Sequence, residues 1–126
     1  GVNRKMKKFN LETGKLGEEI AKKYLELKGY KIIDRNYKTK FGEIDLVCKK
    51  GKRLIIIEVR TKKGLDFGTP EESLNRKKLK KILLNAFAYI KKNNWQGEYQ
   101  IDAICIVLGQ NNILKPARIS HYEVIC

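Results

Sequence analysis

GEIDL at residues 42–46 and IIIEVRTK at residues 55–62 decide the fold, because both are apolar, β-branched runs interrupted by charges. Side chains two positions apart on a strand point to the same face. Glu43 therefore shares a face with Asp45, and Glu58 shares one with Arg60. Acids inside apolar strands are costly to bury unless an opposite charge offsets them, and a divalent cation is the usual partner.

The register of the hairpin between these strands decides whether their acids meet. The segment Lys49-Lys50-Gly51-Lys52 is suited to a turn. A two- or four-residue loop is expected to place Glu43 opposite Glu58, Asp45 opposite Ile56 and Val47 opposite Leu54. Asp45 would then be diagonal to Glu58, near enough to share an ion. A three-residue loop would send the two sets of acids to opposite faces.

The other face of the hairpin is expected to be apolar, with Ile44, Leu46, Ile55, Ile57 and Val59 on it. Both faces of the hairpin are thus largely apolar. We therefore predict central strands covered by helices on both sides.

Hydrophobic periodicity and cap residues predict the remaining elements. A first helix is expected from about residue 14 to 28, and a capping box at Thr69-Pro70-Glu71-Glu72 opens a second helix that ends at Asn93-Asn94. The remaining strands are expected over residues 30–37, 99–108 and 118–125.

The resulting order, α-β-β-β-α-β-β, predicts an α/β protein with a mixed sheet flanked by helices. Residues 1–12 are basic and weakly patterned, and we expect a loose N-terminal arm there. Residues 13–126 are expected to form a single domain.

Charge is the main compositional feature, with 28 Lys and Arg against 14 Asp and Glu, a formal net charge of +14. Such a field attracts polyanions, of which nucleic acid is the commonest. Three widely spaced cysteines suggest buried thiols in a reducing compartment. No stretch is long and apolar enough for a signal or a membrane span, so a cytoplasmic protein without membrane contact is expected.

Asp45 and Glu58 supply the hard oxygen ligands that Mg²⁺ or Mn²⁺ prefers. Such an ion polarises a phosphodiester and activates an attacking water, and Arg60 would stabilise the phosphate charge. The alternative is an ordinary salt bridge between Glu58 and Arg60. Glu43 and Glu18 are expected to complete the shell around the ion, or else to be solvated surface acids.

Several basic side chains are expected to contact nucleic-acid phosphates, although a solvated helix face is the ordinary reading of such lysines. These are Lys77, Lys78, Lys81, Lys40 and Arg35.

A family resemblance rests on short motifs that recur in order from about residue 14 to the end of the chain. The motifs are Gly14-x-x-Gly17-Glu18, Gly29-Tyr30, Arg35-Asn36-Tyr37, Gly42-Glu43-Ile44-Asp45-Leu46, Glu58-Val59-Arg60, Phe67-Gly68, Lys77 and Ile101-Asp102. The chain thereby resembles the YraN family, a branch of the PD-(D/E)XK restriction-endonuclease-like superfamily that includes archaeal Holliday-junction resolvases.

This resemblance implies that Asp45 and Glu58 match the metal-binding acids of the superfamily. It also implies that Glu18 matches an acid of the first helix, and Lys77 a lysine of the second. Arg60 occupies the position usually held by a lysine. Arginine cannot act as a proton-accepting base, although it can clamp a phosphate, so Lys62 on the same face is a candidate substitute.

Three hypotheses follow. The first is a Mg²⁺- or Mn²⁺-dependent nuclease that cleaves DNA, branched or otherwise structured DNA included. The second is a nucleic-acid-binding protein on a nuclease scaffold that no longer cleaves. The third is a basic protein whose partner is RNA or another protein. A homodimer is left open, because a two-strand cut needs two sites.

Overall fold

The computed structural model describes residues 4–109 and 115–126, and only the backbone for residues 5–11. The elements in chain order are α1 (Arg4–Leu27), β1 (Lys31–Thr39), β2 (Gly42–Lys50), β3 (Arg53–Lys63), a 3-10 turn (Pro70–Ser73), α2 (Arg76–Lys92), β4 (Tyr99–Leu108) and β5 (Pro116–Tyr122). The predicted α/β class and element order are confirmed.

The strands form one mixed sheet in the spatial order β1-β2-β3-β4-β5. Neighbours are antiparallel except β3 and β4, which are parallel. A parallel pair cannot be joined by a tight turn, so the chain crosses over between these two strands. The 3-10 turn and α2 form that crossover.

β3 lies at the centre of the sheet and is covered on both faces, as the apolar pattern predicts. Ile55 and Ile57 pack in one core cluster with Ala21 and Leu25 of α1. Leu54 and Ile56 pack in a second cluster, which contains Ile82 and Ala86 of α2. Each such buried side chain contributes about 1.5–3 kcal/mol relative to an exposed one. The two helices thus hold β3 from opposite sides.

The hairpin pairing differs from the prediction by two residues. The ladder starts at Lys50↔Arg53 and runs through Val47↔Ile56 to Leu46↔Ile57. The turn is therefore the two residues at positions 51 and 52, and the same register extended by one pair puts Asp45 opposite Glu58. The predicted pairing of Glu43 with Glu58 is wrong, because a turn shifted by one residue moves every pair by two. The acids of the two strands still come together, since Asp45 contacts the backbone of Val59, next to Glu58.

Ile44 lies on the opposite face from the one predicted. It packs with Val47 in the α2 cluster rather than with Leu46 in the α1 cluster. Strict alternation of side chains along β2 is broken opposite Asn36 of β1. Asn36 has a φ of +50° and lies between the pairs Arg35↔Leu46 and Tyr37↔Ile44. This bend redirects the side chains at the start of β2, next to Asp45.

α1 begins ten residues before the predicted start, at Arg4 instead of about residue 14. The loose arm predicted for residues 1–12 is thus wrong over 4–12, and residues 1–3 lie outside the described part of the chain. Lys, Arg, Met and Leu are good helix formers, so the helix continues there without a periodic apolar stripe. Within the described residues, no helix is long and apolar enough to cross a membrane.

The second predicted helix is divided in two. Thr69 accepts a hydrogen bond from the backbone N–H of Glu72, as its capping role predicts, but the element it caps is only the 3-10 turn. α2 has its own cap, Asn75, whose side chain accepts from the N–H of Lys78. The break leaves Ser73 at the end of the turn, facing β3.

Candidate functional site

The candidate site is a cavity of about 540 Å³ beyond the last pair of the β2–β3 ladder. Acidic and basic side chains both line it. The acids are Glu18, Glu43, Asp45 and Glu58, and the cations are Arg60, Lys62, Lys63 and Lys78. The predicted catalytic and metal-binding residues are therefore brought together in one place.

Asp45 is held at the floor of the cavity by the backbone of β3. Its Oδ2 accepts a hydrogen bond of 2.7 Å from the N–H of Val59, which fixes the carboxylate beside Glu58. Burial and the neighbouring charge of Glu58 raise the pKa of Asp45 to about 8. Two carboxylates that meet in this way repel each other unless a proton or a cation lies between them.

Glu58 is 6% exposed and has two cationic neighbours. Its Oε1 lies 3.4 Å from Nη1 of Arg60 and 3.3 Å from Nζ of Lys78. The salt bridge that was the alternative to a metal site is thus present. It lies inside the cavity, on the side of Glu58 that faces α2.

Arg60 is locked in place by the 3-10 turn. Its Nε donates to Oγ of Ser73 at 2.7 Å, and that hydroxyl donates in turn to the carbonyl of Pro70 at 2.6 Å. A guanidinium held in this way keeps a fixed orientation toward the cavity. No local sequence signal ties Ser73 to Arg60, because the two residues lie 13 positions apart in the chain.

Asn36 gathers the two outer acids of the site. Its Nδ2 donates to Oε1 of Glu43 at 3.1 Å and to Oε1 of Glu18. Burial raises the pKa of Glu18, and the charge of Glu43 adds to the effect. In the sequence, Asn36 was recognised only as part of a motif. Its role at the site could not be predicted, because one of its contacts reaches 18 residues back to α1.

A close approach of α1 to β3 places Glu18 at the cavity. A Cβ atom added to Gly17 would clash with the side chain of Thr61, so no larger residue fits without moving the helix. Oγ1 of Thr61 is buried and has no hydrogen-bond partner in the described residues. The contact therefore brings α1, and Glu18 with it, close to β3.

Of the five predicted phosphate contacts, the structure brings only Lys78 into the cavity. Lys77 and Lys81 are exposed and do not line it, so the helix lysine at the site is Lys78 rather than the Lys77 implied by the resemblance. Lys40 lies over the ring of Phe41, and Arg35 is ion-paired with Glu19. These outer residues could meet nucleic acid only outside the cavity.

The oxygen donors at the cavity fit a divalent cation of the Mg²⁺ type. No group of three or more His, Cys, Asp and Glu residues within the described ranges is arranged to hold a metal. Mg²⁺ does not need such a cage, because it keeps several waters and binds through one or two carboxylates together with substrate phosphate. Asp45 and Glu58 supply two such carboxylates.

Asp102, the other acid inside an apolar strand, is not part of this cavity. It is fully buried on the opposite side of β3 and accepts hydrogen bonds from Gln100, from the N–H of Val124 and from His121. These contacts give Asp102 a structural role in the core.

The comparison with known proteins agrees with the family resemblance. The profile described as uncharacterised protein family UPF0102 matches residues 17–106. A UPF0102 protein of Persephonella marina is 41% identical over 83% of this chain and 90% of its own length. One from Syntrophomonas wolfei is 39% identical over 79% and 88%, and one from Clostridium beijerinckii is 46% identical over 68% and 69%. The predicted membership is confirmed: the chain belongs to the UPF0102 family, the YraN type of the sequence resemblance.

Proposed function

We propose that the protein is a metal-dependent nuclease that hydrolyses phosphodiester bonds of DNA, with Mg²⁺ or Mn²⁺ as its cofactor. One observation carries the proposal: Asp45 and Glu58 meet inside a cavity that is also lined by four cationic side chains. A bound divalent ion supplies Lewis-acid polarisation of the phosphate and an activated water. The net charge of +14 favours a polyanionic substrate.

The residues of the chain have separate roles in this proposal. Asp45 and Glu58 hold the ion, and the N–H of Val59 orients Asp45 for that purpose. Arg60 clamps a phosphate oxygen from its fixed position on Ser73. Lys62 lies in the same cavity and is the candidate for the lysine that Arg60 replaces. Glu18 and Glu43, held by Asn36, orient the waters that the ion keeps.

A cleavage assay tests this proposal. Purified protein is incubated with labelled branched, single-stranded and duplex DNA, with and without Mg²⁺ or Mn²⁺. Asp45→Asn and Glu58→Gln are expected to lower the rate at least about 100-fold, since each removes a charge that binds the ion. Glu26→Gln, an exposed acid of α1, is the matched control and should cleave normally. Cleavage that is indifferent to Asp45 and Glu58 would contradict the proposal.

A second candidate is a nucleic-acid-binding protein that does not cleave. Two observations favour it: an arginine occupies the lysine position, and Arg60 and Lys78 already neutralise Glu58. In that case DNA affinity falls steeply with salt, by about 0.9 log units per phosphate contact per log unit of salt. The Asp45→Asn variant would then bind DNA at least as tightly, and no protein variant would cleave. A flat salt dependence would instead indicate that the partner is another protein and not a nucleic acid.

A further inference from the structure

A loop with exposed apolar side chains lies at the rim of the candidate site. Phe67 is 94% exposed and Leu65 is 54% exposed, on the loop between β3 and the 3-10 turn. Phe67 also lines the cavity that contains Asp45 and Glu58. Burying an apolar side chain stabilises a fold, so the fold gains nothing from this ring while the ring lies in solvent.

Backbone hydrogen bonds fix both ends of the loop, and Phe67 lies between them at the rim of the cavity. The N–H of Gly64 donates to the carbonyl of Leu108 at 3.2 Å, and the N–H of Gly68 donates back to Leu65 at 3.2 Å. Gly68 has a φ of +103° and sits against the carboxylate of Glu72, where a Cβ atom would clash. Phe67 thus projects from a closed turn.

The surroundings of Phe67 select the chemistry of its partner. The same cavity contains the side chains of Arg60, Lys62 and Lys78, which attract phosphate. A ligand that places a phosphate on these cations and a flat apolar face on the ring is a nucleotide, because its base lies one sugar away from its phosphate. A lipid or an apolar peptide would not need the acids and cations beside the ring.

We propose that Phe67 stacks on an unpaired nucleobase next to the phosphate in the cavity, so that the site prefers nucleic acid with unpaired bases. This inference rests on the proposed function and names its substrate class. In a continuous duplex both faces of each base are covered by neighbouring bases, and the ring finds no partner. In a single strand, a flap, a loop or a junction a base face is free to stack.

Binding measurements test the inference without requiring cleavage. Fluorescence anisotropy in EDTA gives the affinity for a single strand, for a full duplex, and for the same duplex with a central unpaired loop. Phe67→Ala is expected to weaken binding of the two probes with unpaired bases about 10-fold and to leave duplex binding unchanged. Phe67→Trp should retain or increase the affinity, because tryptophan also stacks. The salt dependence should be unaltered, since no phosphate contact is removed.

Phe87→Ala is the matched control, because Phe87 is 49% exposed on α2 and does not line the cavity. It should bind all three probes as the unmodified protein does. An affinity of Phe67→Ala for the probes with unpaired bases that equals that of the unmodified protein, or an equal loss on the duplex, would overturn the inference. If the preference depends on Phe67 but no protein variant cleaves, the stacking site stands and the nuclease proposal fails. If cleavage depends on Asp45 while Phe67→Ala shows no loss, only the stacking site fails.

Discussion

Asp45 and Asp102 are both acids inside apolar strands that flank β3, the first half-buried and the second fully buried, and the protein treats them in opposite ways. Asp102 receives three hydrogen bonds, from Gln100 at 2.9 Å, from the N–H of Val124 at 3.0 Å and from His121 at 2.8 Å. Asp45 receives one from the N–H of Val59 and faces a second carboxylate. A buried acid whose oxygens are saturated by donors is structural. An acid that is held beside another acid costs stability and marks a candidate functional site.

Removing Asp102 should give the largest loss of stability. Asp102→Ala leaves the donors of Gln100, Val124 and His121 without their acceptor, so we expect a loss of about 3 kcal/mol or more in the free energy of unfolding. Urea denaturation followed by circular dichroism measures it. Asp102→Asn, which keeps one carbonyl acceptor, should lose less. A loss below about 1 kcal/mol for the alanine variant would show that the network is not structural.

The contact that holds Glu18 at the site is tested by two glycines of the same helix. Gly17→Ala forces α1 away from Thr61 and should cost about 1–3 kcal/mol. Gly14→Ala meets nothing within 4 Å and should stabilise the helix by about 0.5–1 kcal/mol. Thermal unfolding of the two variants compares them directly. Equal effects of both substitutions would mean that the close approach is not needed.

Asp45 should behave as the reverse of Asp102. Asp45→Asn keeps an acceptor for the N–H of Val59 but removes the repulsion from Glu58, so the metal-free protein should gain about 1 kcal/mol. Urea denaturation at pH 8 measures the gain. Asp34→Asn, an acid outside the cavity, is the control and should change little. A destabilised Asp45→Asn protein would remove the contrast between the two acids.

The smallest effect concerns Glu71, which ties the 3-10 turn to β5. The double hydrogen bond from Arg118 lowers the pKa of Glu71 from its usual 4.5 to about 2. Because the folded-state pKa is depressed, this pair contributes stability above pH 4.5 that is lost as the pH falls toward 2. Acid titrations of unfolding should show a shallower loss for Glu71→Gln than for the unmodified protein. Parallel titration curves would contradict this role.

The sequence predicted most where the pattern was continuous. Residues 99–108 form one apolar β-branched run, and β4 has the predicted bounds, Tyr99–Leu108. Glu58 and Arg60 share a face because alternation along a strand needs no knowledge of the rest of the fold. The burial of both faces of β3 was predicted for the same reason.

What the sequence did not predict depends on contacts far along the chain. The pairing of Asp45 with Glu58 was missed because Lys49–Lys52 permits turns that differ by one residue. The bend at Asn36 sent Ile44 to the other face, and no local signal announces it. Ser73 and Asn36 reach site residues at least 7 positions away, through contacts that only the folded chain brings about.

Calorimetric titration of Mn²⁺ into the protein tests most directly whether Asp45 and Glu58 share a metal ion. The expected result is one binding event in the unmodified protein that is lost in both Asp45→Asn and Glu58→Gln and preserved in Glu26→Gln. No heat of binding in the unmodified protein, or equal binding by Asp45→Asn, would contradict the metal site.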